Sequence, residues 1–374
     1  MQSPKKVIAI AAEFPLFWVN PAYTRRGWYY AVWLVSLYEA FARMPEYEVH
    51  WIVFQRKAWR RSVFTAGGQT FHVLPTIQGN VAQALHYRLD GYTMARELDR
   101  IRPDIVHAWG TETRYAVTVA AYRGAVKKML SMQGILTAYL ARGPMAPYYS
   151  RQVRFEVPSM AAYDMVTAES PWGCNRCREM LPQGRIEQWE YAANPRFFAV
   201  ERGLSEQPTC LLAGTSIPMK NVETAIAAFR SPELAGVTLL LAGTPAGQFA
   251  DLPPNVKPLG GVDRAEMERL LASCWCLLHP SLADTSPNIV KEARVVGVPA
   301  VVSTECGGTQ YVEEGKSGFI VEPRDVQGII RGVSHLTRDA ETALAMGAWG
   351  REACRRALSE ETMVRCLREL YAEL

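Results

Sequence analysis

The sequence predicts an α/β protein made of two doubly wound parallel-sheet domains in tandem, and three observations carry that prediction. Short β-branched runs alternate with longer stretches of helical period, the pattern of parallel strands with helices on both faces. The alternation lapses once, over residues 194–208, where Pro195, Gly203, Glu206 and Pro208 stand without a period, and it restarts at Thr209. A chain of 374 residues, 49% of them apolar, can fill two cores, because single domains run to roughly 100–200 residues.

In chain order, the first half offers strands at residues 7–12, 49–54 and 104–108, with helices at 27–43 and 111–122. The second half repeats the scheme with strands at 209–213, 237–242, 275–278, 300–303 and 318–321. The expected domains are therefore 1–200 and 208–358. A last helix, about 359–374, exceeds what the second sheet needs and is expected to pack back onto the first domain. No short repeat and no low-complexity segment interrupts the pattern.

Composition narrows the function less. A net charge of +4 from 41 basic and 37 acidic side chains is too mild to announce nucleic acid, so none is expected as a partner. The apolar run 7–12 is too short for a signal core, and far from the ~20 residues of a spanning helix, so a cytoplasmic location is expected. Among eight cysteines, Cys174 and Cys177 have no second pair at zinc-ligand spacing, and no metal is expected.

Ligands of open α/β sheets bind beyond the carboxyl ends of the strands, so the residues that follow each strand are the candidates. After 209–213 come Gly214, Thr215, Ser216 and then Lys220: close backbone approach, hydroxyl donors and a point charge, the parts of a phosphate cradle. It is not a GxxxxGK[ST] loop, since no Gly precedes Lys220, and a turn with a solvated Lys is the plain alternative. After 275–278 comes PSLADTSPNIVKEA, in which Ser286 is expected to cap a helix, Pro287 to fill its first turn, and Gly297 with Pro299 to end it. Asn288 and Glu292 then share one face, and Asp284 lies just before the helix. The two carboxylates can each hold hydroxyls of an elongated ligand, while amides near Ser286 and Asn288 can take a phosphate. After 300–303 stands Glu305-Cys306-Gly307-Gly308-Thr309. In the first half, HAWGTET, with His107 and Trp109, and SMQG, with Gln133, follow consecutive strands, and a structural role for His107 is equally open.

Taken together, the Asp284/Glu292 pair with its Ser-Pro-Asn, the following GVPAVVST, the GG turn and the closing GKSGFIVEP resemble the C-terminal domain of glycosyltransferase family four. The likeness covers 209 to about 325 well and reaches RPDIVHAWG and the opening strand more loosely. It implies the GT-B fold, two Rossmann-like domains facing a central cleft, and a retaining, metal-independent transfer from a nucleotide sugar to a saccharide, lipid-linked or small-molecule acceptor, with no cofactor. By resemblance, Glu292 holds ribose hydroxyls, Asp284 the transferred sugar and Lys220 the diphosphate; Gly27, Gly214, Thr215, Ser216, Ser286, Pro287, Asn288 and Gly307 complete the donor contacts. His107 joins Asp284, Lys220 and Glu292 as a catalytic candidate, and Arg25, Arg26, Trp109 and Gln133 stand on the acceptor side. The basic, aromatic stretch Arg56-Lys57-Ala58-Trp59-Arg60-Arg61 can touch anionic lipid, which makes peripheral contact with the inner membrane face an open expectation, beside that of a solvated loop.

Three departures stand out. Asp284 replaces the usual Glu, Thr215 the Arg that commonly accompanies the loop Lys, and Gln133 a common His, so a group able to exchange protons becomes one that only hydrogen-bonds. Two rival readings follow: a nucleotide-sugar epimerase of the same build using His107, Glu112 and Glu13, or a nucleotide-sugar-binding subunit without activity. A nicotinamide-dependent dehydrogenase fits poorly, because AAEFPLFW stands where GxGxxG would follow the first strand.

Overall fold

A computed structural model of the chain describes residues 4–23, 31–214 and 218–374. The described residues fall into two compact units. One comprises Met1–Leu140, Pro144–Tyr191 and Met363–Leu374; the other comprises Ala141–Gly143 and Ala192–Thr362. The division thus falls earlier than 200–208. The irregular stretch already belongs to the second unit, where Ala193 N donates to Leu358 O at 3.0 Å and Phe197 is buried.

The first unit holds β1 (Lys6–Ala11), β2 (Tyr47–Gln55), β3 (Ser62–Ala66), β4 (Gln69–Pro75), β5 (Ile105–Trp109), β6 (Lys127–Ser131), β7 (Met165–Ala168) and β8 (Ile186–Gln188). They form one sheet in the order β3-β4-β2-β1-β5-β6-β7-β8, parallel except for β3 against β4. The antiparallel pair departs from the expected all-parallel sheet. Its cause is Gly67-Gly68 between two strand-forming runs: at φ of 54° and 76°, both take the left-handed backbone that a two-residue hairpin turn requires. Strands β1 and β5 are central and mostly apolar, with Ile8, Ile10, Ile105 and Val106 fully buried. The reversal of strand order beside β1 places the loops after β1 and β5 at the switch point of this sheet.

The second unit holds β9 (Thr209–Ala213), β10 (Thr238–Ala242), β11 (Val256–Gly260), β12 (Cys276–His279), β13 (Ala300–Ser303) and β14 (Gly318–Val321). Their order, β11-β10-β9-β12-β13-β14, is that of the doubly wound dinucleotide-binding sheet. Strand alternation builds a core on each face. Cys210 and Leu212 of β9 point to the helices Val222–Ala228 and Val326–Leu336, and Leu211 and Ala213 to the helices Arg264–Ser273 and Asn288–Val296. The loops after β9, β12 and β13, neighbours in the sheet, are therefore side by side at its carboxyl edge.

Candidate functional site

In the second unit, main-chain hydrogen bonds stitch those three loops together. Leu282 N donates to Met219 O at 2.8 Å, Asp284 N to Glu305 O at 3.1 Å, and Gly307 N to Asp284 O at 2.9 Å. Asn221 Nδ2 donates to Pro280 O at 2.9 Å and Ser303 Oγ to Ser281 O at 2.5 Å, so the loop bases are fixed as well. Gly214 makes room for the lysine. Its φ of 96° excludes most side chains, and a Cβ there would lie 3.1 Å from Lys220 Cε.

On this scaffold Lys220 Nζ donates to Asp284 Oδ2 at 2.5 Å, with both side chains mostly buried. His279 Nε2 lies 3.0 Å from the same oxygen and 3.0 Å from Ser281 Oγ. Burial works against ionisation of Asp284, but the Lys220 ammonium and the His279 hydrogen bond outweigh it and hold the carboxyl well below its ordinary range. Burial drives His279 the other way, toward the neutral ring, against the pull of Asp284. The result is a fixed carboxylate braced by a cation, whose ammonium has further protons to donate.

Glu292 is in the opposite condition. It sits half-buried on the helix Asn288–Val296, and no hydrogen bond or ion pair reaches its carboxylate among the described residues. Burial pushes its pKa up to about 7, opposed by Lys291 and Arg264. Hydroxyl donors from a ligand would satisfy it. Asn288 lies one turn before it on the same helix face.

Several expectations need correction. The helix begins at Asn288 with Pro287 in the N-cap position and an extended ψ of 113°, so Ser286 is not the cap and Pro287 is not in the first turn. The Gly307 amide is spent on Asp284 O and holds the loop, so it is not left for a phosphate. His107 is fully buried in β5. Its Nδ1 lies 2.8 Å from Tyr371 Oη and its Nε2 2.7 Å from Ser131 Oγ, and burial lowers its pKa to about 3. It is a fastening for the C-terminal helix and no catalytic candidate. Trp109 is buried too, stacked between His107 and Tyr191 instead of facing an acceptor. Arg25, Arg26, Gly27, Thr215 and Ser216 lie outside the described residues.

Other groups emerge only in the fold. His279 ends β12 and reaches forward to Asp284, a strand-end position that the same rule could have flagged. Arg142, from the short segment belonging to the second unit, donates to Glu305 at 2.5 Å and braces the loop after β13. At the carboxyl edge of the first sheet, Glu112 accepts from Gly134 N at 2.5 Å, and burial, with Glu156 and Glu13 nearby, pushes it up to about 7. A Cβ on Gly110 would meet the carboxyl of Glu112 and, at 3.5 Å, Gln133 Oε1, so these two side-chain ends converge. Glu156 is committed to structure, accepting from Thr111 Oγ1, Leu136 N and Thr137 N at 2.7–2.9 Å. Among the described residues no group of three or more His, Cys, Asp or Glu is placed to hold a metal ion.

Comparison with known proteins bears on the same residues. Residues 195–353, which include Lys220, Asp284 and Glu292, match the family model of glycosyl transferases group 1. The chain is 25% identical over 218 residues to the GDP-mannose-dependent alpha-(1-6)-phosphatidylinositol monomannoside mannosyltransferase of Mycobacterium tuberculosis, a match covering 52% of this chain and 56% of that protein. The chain thus spans about half the length of this curated relative. The fold is that of sucrose-phosphate synthase from Thermosynechococcus elongatus (TM-score 0.76, 16% identity, 99% of each chain). It is likewise that of Anabaena HepE in complex with UDP and glucose (TM-score 0.65, 16% identity, 99% of this chain and 100% of that one). The expected fold class, two Rossmann-like parallel-sheet domains of the GT-B type, is the one found, and the domain that carries Lys220, Asp284 and Glu292 is the part of the chain that matches the glycosyl transferases group 1 model.

Proposed function

We propose that the chain is a glycosyltransferase that moves a sugar from a nucleotide-sugar donor to a saccharide, lipid-linked or small-molecule acceptor, with retention at the transferred carbon and without a metal. The observation that carries this reading is the contrast between two carboxylates at one sheet edge. Asp284 is ionised and braced by Lys220, whereas Glu292 has no partner among the described residues and a pKa near 7. A nucleotide sugar offers groups for both: ribose hydroxyls for Glu292, sugar hydroxyls for Asp284, and a diphosphate for the remaining protons of Lys220.

In the reaction, the bond from the sugar carbon to the diphosphate oxygen breaks as the acceptor oxygen bonds to that carbon from the same face. The acceptor proton passes to the leaving phosphate oxygen. Negative charge grows on the diphosphate, and a preorganised ammonium stabilises it more than it stabilises the ground state. Lys220 is suited to this because Asp284, Gly214 and the stitched loops fix its position.

The test is a panel of UDP-, GDP-, ADP- and dTDP-sugars with chelator present, reading thermal stabilisation and nucleotide release. One nucleotide is expected to stabilise the protein and to be released slowly. Glu292→Gln and Lys220→Ala are each expected to weaken that donor by roughly 10- to 100-fold, the worth of a charge-assisted hydrogen bond. If both variants bind the donor as tightly as the parent, the site is wrong; if no donor binds, the reading as a transferase fails.

The pKa of Glu112 near 7 beside Glu13 favours a second reading, an epimerase with carboxyl acid and base. The same incubation separates them, because an epimerase changes the sugar while the donor stays intact.

A further inference from the structure

Between Glu48 and Asp90 the chain carries no Asp or Glu, yet it carries Arg56, Lys57, Arg60, Arg61 and Arg88. In a chain whose excess is +4 overall, this stretch alone accounts for the imbalance. The fold leaves Arg56, Lys57, Arg60 and Arg88 exposed on the first unit. The connection from β2 to β3 holds Arg56, Lys57, Trp59 and Arg60 in the open, and Trp59 is 99% exposed. At the end of this connection Arg61 closes a two-pronged bond on Glu97, with Nε and Nη2 each 2.6 Å from a carboxylate oxygen, which pins it beside the helix Arg88–Ile101.

That helix buries Asp90, Met94, Glu97 and Leu98 and turns the opposite side outward. Leu89 is 57% and Tyr92 64% exposed there, and Arg96 lies over the Tyr92 ring at 5.6 Å. Leu89, Tyr92, Arg96 and Arg100 follow one another at steps of three and four, so they form one stripe. The connection and the helix stripe, tied together through the Arg61–Glu97 pair, therefore offer unburied apolar groups beside cations; Arg61 and Arg100 are paired with Glu97, whereas Arg56, Lys57, Arg60 and Arg88 have no acid in the stretch before Asp90.

Two simpler accounts fall short. Strand β3 is a sheet edge, and basic residues guard edges against pairing with another chain. That explains Arg60 but leaves a whole indole in water, and it leaves Leu89 on a helix face. A nucleic acid would engage the cations and stack on Trp59, yet it has nothing for Leu89. An anionic bilayer surface satisfies all of them: headgroups for Arg and Lys, the interfacial layer for Trp and Tyr, and hydrocarbon for Leu.

We infer that this face docks the first unit on an anionic lipid surface. The contact is peripheral in kind, since no helix among the described residues is long and apolar enough to cross a membrane. It is independent of the proposed donor site, which lies in the other unit.

The test is flotation of the full chain with vesicles of phosphatidylglycerol and phosphatidylcholine in equal parts, against phosphatidylcholine alone, at 0.1 and 0.5 M NaCl. Binding is expected only to the anionic vesicles and is expected to weaken at high salt. Near an anionic surface each basic residue is worth roughly fivefold in partition, so Lys57→Glu with Arg60→Glu should lower binding by on the order of 25-fold or more. Trp59→Ser should lower it severalfold at either salt. These side chains are exposed, so circular dichroism should show both variants folded, and donor binding measured in parallel should be unchanged. The inference is overturned if the parent ignores anionic vesicles, binds both kinds alike, or binds equally well as either variant. Retention on duplex DNA without vesicle binding would also overturn it, in favour of a nucleic acid. None of these results touches the donor reading, which the donor assay alone decides.

Discussion

At the scale of single residues, the two site carboxylates differ in what surrounds them, and that difference sets a pH signature. The folded pKa of Glu292 lies near 7 against an ordinary 4.5, so the folded state keeps a proton that the unfolded chain has lost. Its contribution to stability is complete below about 4.5 and disappears as pH rises through 7. Donor binding has the opposite sign, because ribose hydroxyls donate to the ionised form. About a tenth of Glu292 is ionised at pH 6 and about nine tenths at pH 8, so donor Kd is expected to tighten roughly tenfold across that interval. Asp284 stays ionised throughout and adds no slope. Titration calorimetry at both pH values reads the effect, and Glu292→Gln should flatten it; an equal slope in parent and variant would remove Glu292 from the site. Residues of this kind were legible in the sequence because a strand-end rule finds them. The same rule also named His107 and Trp109, since sequence does not show which strand-end side chains turn inward. Their burial depends on Tyr371 and Tyr191, which arrive from distant parts of the chain.

Among the elements, periodicity revealed the parallel strands well, and β9, β13 and β14 fall on their expected residues. The hairpin of β3 and β4 lies outside the expected strands although Gly67-Gly68 marks its turn, because a parallel-sheet alternation offers no place for an antiparallel edge strand. The start of the site helix was misplaced by one residue, since Pro287 satisfies both the N-cap and the first-turn geometry by its own φ. The loop before Lys220 carries a sharper consequence. Gly214 takes φ of 96° and leaves the lysine chain its path, so Gly214→Ala adds backbone strain of about 1–2 kcal/mol and crowds Lys220 Cε. Donor affinity is expected to fall about tenfold or more while the sheet survives. Binding measured beside urea denaturation separates the two effects, and an Ala variant that binds donor like the parent would show that the glycine does not position the lysine.

For the whole molecule, the last helix is the element whose placement matters most: its surplus over the second sheet and its return to the first domain are expected from the sequence, but the contacts that hold it there are not. It runs Glu360–Ala372, and from Met363 onward it belongs to the first unit. Tyr371 Oη meets His107, Lys6 Nζ donates to Tyr371 O at 2.8 Å, Trp189 Nε1 donates to Met363 O at 3.2 Å, and Arg368 pairs with Glu46 at 2.6 Å. Met363, Val364, Leu367, Leu370 and Tyr371 are buried with it. At about 1.5–3 kcal/mol per buried apolar side chain, the helix contributes on the scale of a domain's entire margin of about 5–15 kcal/mol. A chain ending at Thr362 should therefore lose the first unit selectively. Amides of β1 and β5 should exchange quickly with deuterium, while those of β9 and β12, whose cores contain no part of the deleted segment, should stay protected. Tyr371→Phe is the milder probe. It leaves the packing and strands His107 Nδ1 without its partner, at a cost of about 1–3 kcal/mol, which should speed exchange in β5 before any other strand. Unchanged protection of β5 in both proteins would mean that the first unit holds its sheet without the helix, and that the His107–Tyr371 contact follows from the fold instead of supporting it.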